Sequence, residues 1–248
     1  GVYPARDYVL RAVEGQNHEY EYRRLAVLGD LVGGRTRVAC ASVEAVLQYT
    51  TPRSEFCGNT LTLRQGASIP MHELIERLYG AGYLRRFQVE GPGQFSVRGG
   101  IVDLYAPDME KPCRLEFWGD EVDSIHAFDL VSQRREAAVK KIHISPAREV
   151  LFGDTDSAAR LLRTALADAK PAYAKALERA MDGDLKALDA GTMPAAMDKY
   201  LALRYETPGT LLEYLDDPIL VLNEPSAVRE AARGVEFRAG ETLKGLLE

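Results

Sequence analysis

The chain has 248 residues, of which 46% are hydrophobic and 27% are charged, and its formal net charge is −6. This composition is that of a soluble globular protein, with room for one large domain or two modest ones. Its negative charge argues against a domain whose main task is to grip the phosphate backbone of nucleic acid. The three cysteines are too scattered for a disulfide framework or a zinc site, and no apolar run is long enough to span a membrane. We therefore expect a cytoplasmic protein and, because the sequence begins with Gly1 rather than Met, a piece of a longer one.

The first 58 residues predict part of an α/β layer. Apolar residues recur at helical spacing between residues 18 and 32, and a glycine pair ends the run. Residues 36–42 are apolar and partly β-branched, which predicts a buried strand. Ser42 then occupies the N-cap position of a further helix. Because the pattern predicts only one strand here, we expect this layer to be incomplete.

Residues 59–146 predict an antiparallel α+β module. A strand and a turn precede a short amphipathic helix at residues 71–83, in which Leu74, Ile75 and Leu78 point inward. From residue 84 to residue 145, apolar and polar residues alternate between glycine-rich turns. This pattern indicates a compact antiparallel sheet that carries one helix.

Residues 147–248 return to α/β patterning. Residues 154–206 are rich in alanine and leucine and predict capped helices. Residues 218–225 form a continuous apolar run of strand length, followed by a helix that ends at Gly234. We therefore expect residues 1–58 and 147–248 to form one α/β layer into which the module is inserted. Because the layer lacks upstream strands, it should expose an unpaired edge or an apolar face.

The chain carries no motif that predicts catalysis. It has no phosphate-binding glycine loop, no histidine spacing suited to a metal, no nucleophile elbow and no catalytic pair of carboxylates. The stretch most similar to a catalytic motif is ILVLNEP at residues 219–225, which resembles the magnesium-binding strand of a P-loop ATPase. Asn223 stands where the first acid belongs, and the lysine loop that such a strand serves is missing. We therefore expect neither enzymatic activity nor a bound cofactor.

Two predicted strands, QFSVR at residues 94–98 and CRLEFW at residues 113–118, carry unusual residues on their outward faces. Alternation along the strands places the following side chains outward: Arg98, Arg114, Glu116 and Trp118. One interpretation is an arginine packed over a half-buried tryptophan, with ordinary cross-strand salt bridges. The other is a binding surface, because tryptophan and arginine are enriched at the energetic centres of protein interfaces. The pattern alone leaves both open.

These stretches also carry a resemblance to a known family. GYLRRFQVEGPGQFSVRGGIVDLYAP, CRLEFWGDEVDSIHAFDLVSQRR and ISPAREV follow one another at residues 82–107, 113–135 and 144–150. Together they resemble the UvrA-binding module of the bacterial transcription-repair coupling factors and, less closely, the homologous module of UvrB. The flanking stretches, such as EYEYRRLAVLGDL and ETPGTLLEYLDDPILVLNEP, resemble the segments around that module. The resemblance therefore extends over nearly the whole chain.

The resemblance implies a fold, a partner and a set of contact residues. It implies an incomplete UvrB-like domain, a degenerate relative of the P-loop ATPases, with an inserted UvrA-binding module at residues 59–146. In the family, the positions that match Arg98, Arg114 and Trp118 lie on the face that meets UvrA. Further contacts of UvrB-type modules match these residues: Glu116, Arg85 and Arg86. Most relatives have phenylalanine where this chain has Trp118, a departure that keeps an apolar ring.

The resemblance further implies a non-catalytic adaptor that recruits UvrA to stalled transcription. In the longer protein, RNA polymerase and DNA would be bound by other domains, and another domain would mask the UvrA-binding surface. One alternative is a DNA-binding, damage-verifying fragment of a UvrB-like protein. The tyrosine-rich hairpin and the glycine-cysteine-serine stretch that serve DNA in UvrB are not evident in this sequence. A structural domain without a partner is the third possibility.

Overall fold

The computed structural model describes residues 1–6 and 18–247. The first flank is mostly helical: its elements are β1 (Val2–Tyr3), α1 (Glu19–Val32), β2 (Cys40–Ala41), α2 (Val43–Leu47) and α3 (Arg53–Gly58). The two short strands pair in parallel. Ser42 caps α2 as predicted, since its side chain accepts a hydrogen bond from the backbone N–H of Ala45.

The central module is an antiparallel sheet with one helix on it. Its elements are β3 (Leu61–Arg64), α4 (Met71–Gly80), β4 (Leu84–Arg85), β5 (Gln94–Arg98), β6 (Ile101–Tyr105), β7 (Cys113–Trp118), β8 (Glu121–Phe128), β9 (Arg135–Ala138) and β10 (Lys141–Ile144). Strands β4 to β9 form one sheet in chain order, in which only the β4–β5 pair is parallel. Strands β3 and β10 pair with each other, so the two ends of the module lie side by side. The mixed α/β class with antiparallel sheets is therefore as predicted.

The second flank consists of helices. Its elements are α5 (Thr155–Ala167), α6 (Pro171–Asp189), a 3₁₀ helix (Met197–Tyr200), α7 (Leu201–Arg204), a second 3₁₀ helix (Leu211–Tyr214) and α8 (Pro225–Leu247). Asp154 caps α5, because its carboxylate accepts a hydrogen bond of 2.6 Å from the backbone N–H of Ser157. Helices α5 and α6 pack against each other and bury a core of their own.

The module and the first flank have separate apolar cores. In the module, Leu74 and Leu78 of α4 are one helical turn apart and are buried against Phe95 and Leu104 of the sheet. In the first flank, α1 packs against the 3₁₀ helix Leu211–Tyr214, so the two flanks share a core that is separate from that of the module. The module is thus attached to a largely helical frame.

Two predicted strands of the flanks are wrong. Of residues 36–42 only Cys40–Ala41 is a strand, and it is exposed because its partner β1 is two residues long. Residues 218–225 form no strand. Their apolar side chains are exposed by 61–92%, because no described strand lies beside them. β-Branched residues favour a strand only where neighbouring strands bury them. Residues 219–222 are therefore an exposed apolar segment of irregular backbone, and the unpaired edge or apolar face expected of an incomplete layer stays a prediction.

Helix α8 is also longer than predicted. The sequence pattern ends it at Gly234, whereas the helix continues through this glycine to Leu247. The helix contains three glycines, each of which costs about 1 kcal/mol relative to alanine, and the helix-favouring residues between them offset this cost.

The chain leaves the module at a buried ion cluster centred on Glu149. The Glu149 carboxylate is fully buried and accepts hydrogen bonds from Arg24 Nε at 2.7 Å and from Thr50 Oγ1 at 2.8 Å. Arg6 Nη1 lies 2.9 Å from its second oxygen. The backbone N–H of Glu149 donates to Glu21 of α1 at 2.9 Å. Three segments distant in sequence therefore meet at Glu149, just after the last strand of the module.

Removing the charge of Glu149 should destabilise the protein. We expect Glu149→Gln to lower the free energy of unfolding by about 3–5 kcal/mol, because it leaves two buried arginines with an incomplete counter-charge. Urea denaturation at neutral pH measures this loss. Asp189→Asn is the matched control, because it breaks an ion pair with Arg163 in which both side chains are more than half exposed, and it should cost no more than about 1 kcal/mol. Equal stability of both variants would contradict the prediction.

Acid should weaken the contact between α1 and the end of the module. Burial favours the neutral form of Glu21, but hydrogen bonding to His18, the charge of Arg148 and the N–H of Glu149 lower the pKa of Glu21 to about 2. In the unfolded chain this pKa is about 4.3. The carboxylate therefore stabilises the fold fully above about pH 4.3, and this contribution is lost as the pH falls towards about 2.

The measurement is urea denaturation of wild type and Glu21→Gln between about pH 2 and pH 7. The difference in stability between them should be constant at neutral pH and shrink on acidification. Glu178→Gln, on the exposed side of α6, controls for the loss of one charge. A difference that does not change with pH would refute the assignment.

Candidate partner-binding surface

The Arg98-Gly99-Gly100 sequence forms the tight turn between β5 and β6. Gly99 has φ +57°, a left-handed conformation that favours glycine. A Cβ on Gly100 would lie 3.2 Å from the carbonyl oxygen of Phe117, so the second glycine lets the turn approach β7. The Phe117 N–H donates to the Gly100 carbonyl at 2.8 Å. The two glycines thereby bring Arg98 to the same end of the sheet as the end of β7.

Arg98 and Arg114 converge on one buried carboxylate. The register aligns Asp103 with Arg114 of the neighbouring strand. Arg114 donates to Asp103 from Nε at 2.7 Å and from Nη2 at 2.9 Å, while Arg98 donates from Nη2 at 2.5 Å. Asp103 is 1% exposed. Its hydrogen bonds raise the pKa of Arg114 above the usual value. Both guanidinium groups are therefore held by the same acid.

The two arginines differ in exposure. The Arg98 side chain is 41% exposed, whereas that of Arg114 is 14% exposed. The Arg114 guanidinium also lies 5.0 Å from the centre of the Phe128 ring. Arg114 therefore lies on the face opposite the apolar core, as the alternation predicts, but it is largely covered and not exposed to solvent. Hydrogen bonds to the buried Asp103 and the contact with the Phe128 ring hold its side chain against the sheet.

The FDLVSQ turn after β8 covers Arg114. Asp129 accepts hydrogen bonds from the backbone N–H and the hydroxyl of Ser132, both at 2.8 Å. This turn gives Gln133 a positive φ of 58°. The Gln133 carbonyl accepts a longer hydrogen bond of 3.4 Å from Arg114 Nη1. The turn therefore helps to fix the arginine.

Glu116 lies on the same face as Arg114 and is held by its neighbours. Its carboxylate accepts a hydrogen bond of 2.9 Å from Ser124 Oγ and forms an ion pair with Arg135. The Glu116 side chain is 22% exposed. It is thus a half-buried acid in a cross-strand network.

Trp118 projects into solvent at the end of β7. Gly119, with φ +60°, makes the turn to β8, and Phe117 packs on the core of the module. Trp118 is 84% exposed. A half-buried tryptophan under an arginine is therefore excluded as its structural role.

Arg85 and Arg86 lie at the edge strand β4 and are exposed. Arg85 lines a cavity of about 460 Å³ between the module and the second flank, together with Arg148 and Glu21. The structure therefore joins Arg98 and Arg114 through one acid, but places Arg85 at the junction with the frame.

Two residues near the predicted ones, Asp103 and Phe87, were not predicted as site residues. Asp103 links the arginines, and a single acid within the apolar strand IVDLY is the signal that points to it. Phe87, which follows Arg86, is 90% exposed. An exposed aromatic ring beside arginines is typical of interface residues.

No group of three or more potential metal-ligating side chains occurs among residues 1–6 and 18–247. Within the same residues, no helix combines the length and the apolar character needed to cross a membrane.

Residues 61–150 match the protein family described as the UvrB interaction domain. The match begins at β3 and ends just after Glu149, so it includes the whole sheet and the ion cluster residue that follows it. The resemblance of the module, predicted from its motifs, is thereby confirmed.

Over its own whole length, this chain is also similar to part of a particular group of longer proteins. The chain is 30% identical to the transcription-repair-coupling factor of Bacillus subtilis (strain 168). It is 27% identical to that of Staphylococcus haemolyticus (strain JCSC1435) and 26% to that of Staphylococcus aureus (strain Mu50). These alignments cover 99–100% of this chain, which spans 22% of the length of each relative. The predicted resemblance to transcription-repair coupling factors is therefore confirmed over the whole chain.

Truncating Trp118 should leave the fold intact. We expect Trp118→Ala to change the free energy of unfolding by no more than about 0.5 kcal/mol, because the side chain makes few contacts to lose. Leu115→Ala, on the same strand but fully buried, should cost about 2–5 kcal/mol. Urea denaturation of both variants tests this contrast. A large loss for Trp118→Ala would mean that the ring belongs to the core.

Proposed function

We propose that this chain is a non-catalytic adaptor that binds UvrA through the central module and so recruits UvrA to stalled transcription. The observation that carries the proposal is the face of the sheet opposite the apolar core, which carries an exposed tryptophan and two arginines held by a common acid. The similarity of residues 61–150 to the UvrB interaction domain supports the same role.

The chemistry of the surface suits a protein partner. Trp118 offers an apolar ring that loses water on binding, and Arg98 offers hydrogen-bond donors and a positive charge. Side chains of these two types account for much of the binding energy at protein interfaces. Because the backbone beneath them is a paired sheet with two tight turns, little ordering of the chain is required on binding.

The flanks support a second part of the proposal. We propose that they derive from an ATPase-like domain that has lost its nucleotide site, since residues 219–225 resemble the magnesium-binding stretch of a P-loop ATPase but have Asn223 where an acid belongs. In the longer protein, RNA polymerase and DNA would bind to other domains. Another domain would cover the UvrA-binding surface until it is needed.

Three single variants test the binding surface. We expect Arg98→Ala, Arg114→Ala and Trp118→Ala each to weaken binding to UvrA by about 1–3 kcal/mol. Trp118→Phe should bind nearly as well as wild type, because it keeps an aromatic ring. Calorimetric titration at two salt concentrations measures these effects. The loss at exposed Arg98 should shrink at high salt, whereas the loss at Trp118 should persist.

Exposed residues outside the module serve as controls. Arg163→Ala on α5 and Phe237→Ala on α8 remove an arginine and a 70% exposed aromatic ring, and both should bind UvrA like wild type. A mobility shift with damaged duplex DNA distinguishes the adaptor from a damage-verifying fragment, because the adaptor should not bind DNA at moderate salt. Wild type that binds damaged DNA but not UvrA would refute the proposal.

A further inference from the structure

Asp103 is the geometric centre of the surface, although it does not belong to its exposed part. The carboxylate is 1% exposed, so a partner that docks on the sheet cannot touch it. It is nevertheless bound by both arginines, with three hydrogen bonds of 2.5–2.9 Å. Any effect of Asp103 on binding must therefore act through Arg98 and Arg114.

Position on the sheet explains why one acid can hold both side chains. Asp103 on β6 is directly opposite Arg114 on β7, and on its other side β5 places Arg98 two residues from the aligned Ser96. Arg114 presents two nitrogens to both carboxylate oxygens, a fork-like geometry that fixes its plane. Arg98 donates through Nη2, and its side chain remains 41% exposed. The acid thus fixes one end of Arg98 and leaves much of the side chain accessible.

We propose that Asp103 is a positioning residue that orders Arg98 and Arg114, before binding, to receive an acidic group of the partner. This inference rests on the proposed binding of UvrA. Long arginine side chains lose conformational entropy when an interface immobilises them. Two arginines that the fold has already ordered avoid most of that cost. Asp103 therefore increases affinity without contributing a contact.

The experiment is a double-mutant cycle by calorimetric titration with UvrA. Asp103→Asn, which keeps the shape but loses the charge, should weaken binding about tenfold, the order expected when two arginines must be ordered on binding. In an Arg98→Ala/Arg114→Ala background, the same substitution should change affinity less than about twofold. Asp123→Asn, an exposed acid on β8, is the matched control and should bind like wild type.

The outcomes separate three cases. Wild-type affinity of Asp103→Asn, or an equal loss in the background without the arginines, overturns the positioning role and leaves the proposed function standing. Absence of binding by the wild type overturns the proposed function and this inference with it. If Asp103→Asn does not fold, NMR relaxation of the arginine Nε–Hε groups in the free wild type decides. Arg98 and Arg114 should be more ordered than exposed Arg163, and equal mobility would refute the inference.

Discussion

The structure depends on the burial of one carboxylate, that of Glu149, between Arg24 and Arg6. Charges removed from water are tolerated in a folded protein only when they are paired and their hydrogen-bonding capacity is used. The charge and the hydrogen bonds of the Glu149 carboxylate are therefore matched only when the region after β1, α1 and the segment around Thr50 are all packed against it. Because Glu149 follows the last strand of the module, the same requirement fixes where the module leaves the frame. The pairing of β3 with β10 then places the entry beside the exit.

Two carboxylates of the described residues, those of Glu149 and Asp103, each lie between two arginines, with different consequences. Around Glu149 the three side chains are at most 7% exposed, so the cluster serves the fold. Around Asp103 the acid is equally buried, but Arg98 is 41% exposed. The difference arises from position: Glu149 lies where segments cross, whereas Asp103 lies on the face of a sheet. The same electrostatic pattern can therefore stabilise an interior in one place and prepare a surface in another.

The sequence predicted the module better than the flanks, for a physical reason. Alternation along β5 to β8 reports which face is buried, and the glycines of RGG and WGD report turns, so these local signals suffice. Residues 36–42 and 218–225 carry equally apolar patterns, but a strand also needs a neighbour, which local sequence does not reveal. For the same reason the pattern predicted the face of the sheet on which Arg114 lies, but not how deeply its side chain is covered. Its depth is set by Asp103 and Phe128, on other strands.

The exposed run Ile219–Leu222 has a consequence for the behaviour of the chain in concentrated solution. Four consecutive apolar residues with two β-branched members match the composition of segments that add to the edges of sheets in other molecules and form aggregates. Pro218 and Pro225 stand at either side, and neither can donate a hydrogen bond to an adjoining strand. Asp216, Asp217 and Glu224 add like charges next to the run. These neighbours act as gatekeepers, which limit the length of strand that one copy can offer to the next.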